Sequence, residues 1–193
     1  MLRRLYDQTI AYAESPNAPY ALGVVSFAES SFFPVPPDVM LIPMALAKPK
    51  KAWFYALICT VTSVLGGLFG YWIGAALYET VGQWLIALYG YADRVEQFRQ
   101  LYQEYGAWII LIKGLTPIPY KIVTIASGLA GYDLVWFVVL SLLTRGARFF
   151  VVAGILNHFG DGLRGVIERN LGLVAGVILI FIIGGFVAVT YVV

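Results

Sequence analysis

Two long apolar stretches of this chain are each interrupted near the middle by prolines, and those interruptions limit what it can fold into. The first break reads Pro34-Val35-Pro36-Pro37-Asp38 and the second Pro117-Ile118-Pro119-Tyr120-Lys121. Proline lacks a backbone donor, clashes with the preceding helical turn and drives its predecessor out of helical geometry. Three prolines in four positions therefore end a helix, and Asp38 is placed to cap a new one at Val39. The arms that remain are about 10–15 residues each, short of the ~20 needed to cross a bilayer. Residues 18–47 and 107–131 are accordingly expected to form two re-entrant helical hairpins. Each enters and leaves on one side, with Pro34, Pro36, Pro37, Pro117 and Pro119 at the tips.

Composition supplies the bilayer. Hydrophobic residues make up 60% of the chain and charged residues 12%, where a soluble domain carries about 25% charged. Mean hydropathy is +0.80. Apolar runs at residues 52–78, 134–157 and 171–193 are long enough to span. Residues 82–105 mix Asp93, Arg94, Glu96, Arg99 and Glu104 with a helical stripe through Leu88, Tyr91, Val95, Phe98, Leu101, Tyr102 and Tyr105, the pattern of an interfacial helix. Residues 1–16 read as another amphipathic surface helix, without the features of a removable signal peptide. The expected fold class is an all-α integral membrane protein, one domain over residues 1–193. It combines two opposed re-entrant hairpins, related as an inverted repeat, with three transmembrane helices and interfacial amphipathic helices.

The distribution of basic residues orients that arrangement. Two hairpins and three spans put residues 1–17, 48–51 and 158–170 on one side, with Arg3, Arg4, Lys48, Lys50, Lys51, Arg164 and Arg169. The other side holds Arg94 and Arg99. By the positive-inside rule the N-terminus is cytoplasmic and the C-terminus outside.

Six charges lie at membrane depth: Glu29, Asp38, Lys113, Lys121, Arg145 and Arg148. Unpaired, each costs about 2.5–3.5 kcal/mol at a helix centre, or on the order of 15–20 kcal/mol together. They must face protein, water or one another. Two acids against four bases leave an excess of positive charge that an anionic ligand group would balance. Arg145 and Arg148 are three apart and share a helix face, and paired guanidiniums suit a phosphate. Lys113 and Lys121 complete the candidate anion-binding set, while Glu29 and Asp38 are the candidate proton-responsive acids. The competing reading is structural. Glu29 and Asp38 would only neutralise Lys113 and Lys121, and the arginines would snorkel or satisfy free hairpin carbonyls.

Other features narrow the function. Ser63, Gly66, Gly70 and Gly74 form a ridge of small residues that allows close helix approach in lipid, here against a hairpin arm. Gly176, Gly184 and Gly185 in the last run would suit self-association into a homo-oligomer. Cys59 and His158 are single residues of their kinds, so no metal or other cofactor site is expected. No basic cluster suits nucleic acid, and no nucleophile motif such as G-x-S-x-G suggests an enzyme.

The segment from Glu29 to Asp38 resembles the E-x-S-x-x-P-x-P-x-[DE] signature of the DedA family, part of the SNARE-associated or VTT-domain membrane proteins. Gly66–Gly74, GGLFGYWIG, is similar to that family's G-x-x-x-G-Y-x-x-G segment, and Lys113–Gly128, KGLTPIPYKIVTIASG, to the version in its YqaA-type branch. The resemblance covers about Ala28 to Ala153. It implies a bacterial inner-membrane protein that translocates a phosphorylated lipid such as undecaprenyl phosphate or phosphatidylethanolamine, with a link to the proton-motive force. It also implies that Glu29 and Asp38 are the family's acidic pair and Arg145 and Arg148 its late membrane-embedded arginines. Better-studied members usually carry arginine in the second re-entrant motif, where this chain has Lys113 and Lys121. The expected function is therefore a lipid flippase or scramblase. The alternatives are a proton- or ion-coupled transporter of a soluble anion and a membrane scaffold without transport.

Overall fold

The computed structural model describes residues 15–33, 35–83, 92–115 and 120–169. Among them it contains six α-helices and no strand: α1 (Ala18–Ser31), α2 (Asp38–Ala47), α3 (Ala52–Leu77), α4 (Ala92–Leu115), α5 (Tyr120–Ala130) and α6 (Leu134–Arg169). Two helical stretches are long and apolar enough to cross a membrane, Pro49–Thr80 and Leu134–Gly160. The apolar run at 171–193 and the amphipathic segment at 1–14 lie outside the described residues.

α3 is the axis of the molecule, packing on α1, α5 and α6. Contacts between α1 and α3 advance together, from Ser26 at Cys59 to Ser30 at Ser63 and Ser31 at Gly66, so the two helices run parallel. Those between α3 and α5 advance together as well, from Gly67 at Tyr120 to Gly74 at Ile125. α1 therefore lies along the first half of α3 and α5 along the second half, nearly end to end. At 1.5 Å per residue they measure about 21 Å and about 16 Å, together close to the ~39 Å of α3. α6 runs the other way. Asn157 donates to the carbonyl of Pro49 near one end of α3, and Arg145 meets Ser63 at its middle.

Glycine makes the two parallel contacts possible. A Cβ on Gly66 would enter the Phe27 backbone, one on Gly74 the carbonyl of Ile125, and one on Gly128 the carbonyl of Tyr71. The small-residue ridge thus faces both α1 and α5, where the sequence suggests a single hairpin arm.

Two apolar clusters flank the axis. One joins Leu22 of α1, Leu41 and Met44 of α2, Tyr55 and Cys59 of α3, and Phe149 and Leu156 of α6. The other joins Tyr102 and Ile110 of α4, Tyr120 and Val123 of α5, and Phe137 of α6. Outside them lies an exposed apolar surface that includes Trp53, Leu57, Val61, Leu65, Phe69 and Trp72 of α3. Spaced three to four residues apart, these side chains form the outward stripe of a helix that is apolar all round.

Three local details depart from the sequence reading. Asp38 does not cap α2. Pro37 takes the N-cap position, no side-chain cap bond forms, and Asp38 is the first helical residue with its carboxylate turned to another helix. The surface segment at 82–105 and the arm beginning at 107 are not separate past Ala92, because α4 is continuous through Gly106. An internal glycine costs a helix only about 1 kcal/mol, and here its missing Cβ admits the Tyr132 ring, which a Cβ would meet at 2.7 Å. α6, finally, stays helical to Arg169, beyond the expected span at 134–157, while its membrane-capable stretch, Leu134–Gly160, lies close to that span.

Candidate functional site

Three helix ends converge beside the middle of α3. α1 ends at Ser31, α2 begins at Asp38 and α5 begins at Tyr120. Prolines force the first of these breaks. Pro37 is fully buried and its φ of −65° sets the entry into α2. Pro34, Pro117 and Pro119 lie outside the described residues.

α6 passes this junction and presents two arginines to it. Arg145 is 1% exposed. Its Nη2 donates to Glu29 Oε2 at 2.6 Å and its Nε to Ser63 Oγ at 2.6 Å. The guanidinium sits between the rings of Tyr120 and Phe149, with Cζ 4.8 Å from each centroid. Arg148, one turn on, donates from Nη2 to Asp38 Oδ2 at 2.7 Å, with side-chain exposures of 35% for the arginine and 18% for the acid. Its Cζ is 6.0 Å from the Phe149 centroid.

Each arginine thus holds one side of the first proline break: Arg145 the end of α1, Arg148 the start of α2. The structural reading of the sequence pairs the acids with Lys113 and Lys121; among the described side chains both acids pair with the arginines of α6. Lys121 extends instead toward the end of α1, with Nζ 3.5 Å from the carbonyl oxygen of Phe32. That carbonyl lies past the last turn of α1, where the helix leaves acceptors without helical partners and a cation is favoured. Lys113 belongs to α4, and its side chain lies outside the described residues.

A hydroxyl network fixes the buried half of the site. Ser30 Oγ and Ser63 Oγ are 2.7 Å apart, and Ser30 Oγ also donates to Glu29 Oε2 at 3.2 Å. Thr124 Oγ1 of α5 donates to the carbonyl of Ser30 at 3.2 Å, joining the second broken helix to the first. The Tyr120 hydroxyl donates to Ser141 Oγ. Thr124, Tyr120 and Ser30 carry no signal as individual residues. Only their position beside a break, within an apolar helix, marks them as polar groups needing a partner.

Chemically, the cluster is charge-balanced at the arginines and positive at the lysine. Glu29 offsets Arg145 and Asp38 offsets Arg148, so Lys121 carries positive charge beyond the two pairs. The surface of the break is apolar by contrast, with Phe32, Phe33, Val35 and Val39 exposed around the first helix junction.

Comparison with known proteins identifies the family of the chain. The family model for the VTT domain matches residues 35–158, a region that includes Asp38, Ser63, Lys121, Arg145 and Arg148 and begins just after Glu29. An uncharacterized protein of Haemophilus influenzae is 32% identical over 184 residues, 95% of each chain. The uncharacterized protein HI0703 homolog of Histophilus somni is 34% identical over 179 residues, 93% of each chain. No solved structure matches the chain. With most of the ion-paired cluster inside the matched region, the chain belongs to the VTT-domain family of DedA-type, SNARE-associated membrane proteins.

Proposed function

We propose that this protein is a non-enzymatic lipid translocase, a flippase or scramblase that moves a phosphate-bearing lipid between the leaflets of the bacterial inner membrane. Undecaprenyl phosphate and phosphatidylethanolamine are the candidate lipids. In this reading α1–α2 and α4–α5 are re-entrant hairpins entering from opposite sides, the N-terminus is cytoplasmic and the C-terminus outside. Protons couple to movement through the acidic pair, Glu29 and Asp38.

One observation carries the reading. The partly exposed Arg148–Asp38 pair and Lys121 meet a break whose exposed side chains, Phe32, Phe33, Val35 and Val39, are apolar. A headgroup phosphate needs the first kind of surface and the adjoining acyl chains the second. Irregular backbone at membrane depth is tolerated only inside protein or beside a water-filled cavity, and transporters with broken helices bind substrate at such junctions. The lengths support this as well. At about 21 Å and about 15 Å, α1 and α2 are each shorter than the ~30 Å hydrocarbon core.

The test is reconstitution. Purified protein in liposomes, with labelled undecaprenyl phosphate or phosphatidylethanolamine, is expected to speed exchange between leaflets, and Glu29→Gln and Arg148→Ala to abolish it. Folded wild-type protein that moves neither lipid, even under an imposed proton gradient, would end the translocase reading and favour a soluble anion or a scaffold.

A further inference from the structure

The two arginine–carboxylate pairs look alike in sequence and in length, 2.6 and 2.7 Å, but their arginines differ in how firmly they are held. Arg145 makes two hydrogen bonds, is held between two rings and has a side chain 2% exposed. Among the described residues Arg148 makes one hydrogen bond and lies at the margin of one ring, and its side chain is 35% exposed. A guanidinium carries five N–H donors, so Arg148 can accept a second anion or a replacement without leaving its place.

The acids are similarly shielded, at 12% and 18% exposure, but sit at opposite helix ends. Glu29 stands in the last turn of α1, the negative end of that helix, where a carboxylate without its cation is disfavoured. Ser30 is its other hydrogen-bond partner, at 3.2 Å. Asp38 is the first residue of α2, at the positive end of its helix, where negative charge is stabilised by the backbone itself. Losing Arg145 leaves Glu29 in the wrong field; losing Arg148 leaves Asp38 in a favourable one.

We propose that Arg148 is the ligand-exchanging arginine of the site and Arg145 a fixed post. A phosphate group displaces the Asp38 carboxylate from Arg148, one anion for another, while Glu29–Arg145 stays closed and keeps α1 on α3 and α6. Asp38 is thus an internal competitor that occupies the phosphate position in the unliganded protein. This rests on the translocase reading for its ligand, a phosphate ester on a lipid, but the same exchange would serve free phosphate.

The test is binding to the full-length protein in detergent, by calorimetry, with inorganic phosphate and with dihexanoyl phosphatidic acid as probes. Removing an internal competitor raises the binding-competent fraction, so Asp38→Asn is expected to tighten binding by about tenfold. Arg148→Lys keeps the charge but loses the planar fork, and is expected to weaken binding by about tenfold. Arg145→Lys is expected to lower the unfolding temperature while its folded fraction binds like wild type. The lysine variant keeps the proposal testable should Asp38→Asn not fold. Unchanged or weaker binding in Asp38→Asn overturns the exchange, as does a loss in Arg145→Lys equal to that in Arg148→Lys. Binding of phosphatidic acid alone assigns the ligand to lipid, and binding of inorganic phosphate as well assigns recognition to the phosphate group itself. Either outcome, with the expected order of variants, supports the exchange. Lipid transport by wild type with the wrong order of variants sinks the exchange and leaves the translocase standing. If wild type binds neither probe, the exchange fails outright, whereas the translocase stands or falls separately on lipid movement in liposomes.

Discussion

At the scale of single residues, the energetics concentrate in Arg145. Breaking a buried ion pair from one side leaves an uncompensated charge and costs about 3–5 kcal/mol, whereas removing both partners costs much less. Arg145→Gln should therefore lower stability by about that amount, since Glu29 then loses its cation and Ser63 a donor. Glu29→Gln combined with Arg145→Gln should recover a good part of the loss. Chemical denaturation in detergent would check both, and a double variant no more stable than Arg145→Gln would mean that Glu29 draws its compensation elsewhere. That these residues had to be paired was legible in the sequence, because unpaired charges at such depth are too costly. Their partners were not. Glu29 and Arg145 are 116 positions apart, and Asp38 and Arg148 110. Choosing arginine over lysine depends on which helix passes the break, and no local pattern records that.

At the scale of elements, close backbone contact sets α1 and α5 against α3. Gly128→Ala would place a methyl group on the Tyr71 carbonyl, where no flexible side chain can yield. Overpacking of this kind costs about 1–3 kcal/mol, and more where backbone is the obstacle. Gly146→Ala is the matched control. Its Cβ would rest 3.6 Å from Thr60 Cγ2, an ordinary contact, and replacing an internal helical glycine is favourable by about 1 kcal/mol. The expected order of melting temperatures is Gly146→Ala at or above wild type and Gly128→Ala clearly below it. Equal effects would show that helix propensity, not contact, governs these sites. The ridge at Gly66, Gly70 and Gly74 could be read from its spacing, and the proline break after α1 from the stereochemistry of one residue type. The continuity of α4 could not. Gly106 is a weak breaker by itself, and only the Tyr132 ring in its groove shows why glycine sits there.

At the scale of the whole molecule, the end-to-end placement of α1 and α5 along α3 has a directional consequence. α3 is about 39 Å long, more than the ~30 Å hydrocarbon core, so its two ends should lie on opposite sides of the membrane. Lys50 is exposed in the turn before α3, and Gln100 is exposed on α4 one residue after Arg99, whose guanidinium stacks 4.6 Å over Tyr78 just past the other end of α3. Cys59 is fully buried and should be silent to a membrane-impermeant thiol reagent. Lys50→Cys is then expected to label only from the cytoplasmic face, and Gln100→Cys only from the outer face. That sense is what the positive-inside rule predicts from Lys48, Lys50 and Lys51 at one end and the mixed charges of α4 at the other. Labelling of both from one face would mean that α3 does not cross, and the two hairpins would then not be opposed. Labelling from opposite faces in the reverse sense would keep the architecture and invert the molecule. The junction at Ser63 would still lie near mid-depth, because it is set by where α1 ends and α5 begins along α3.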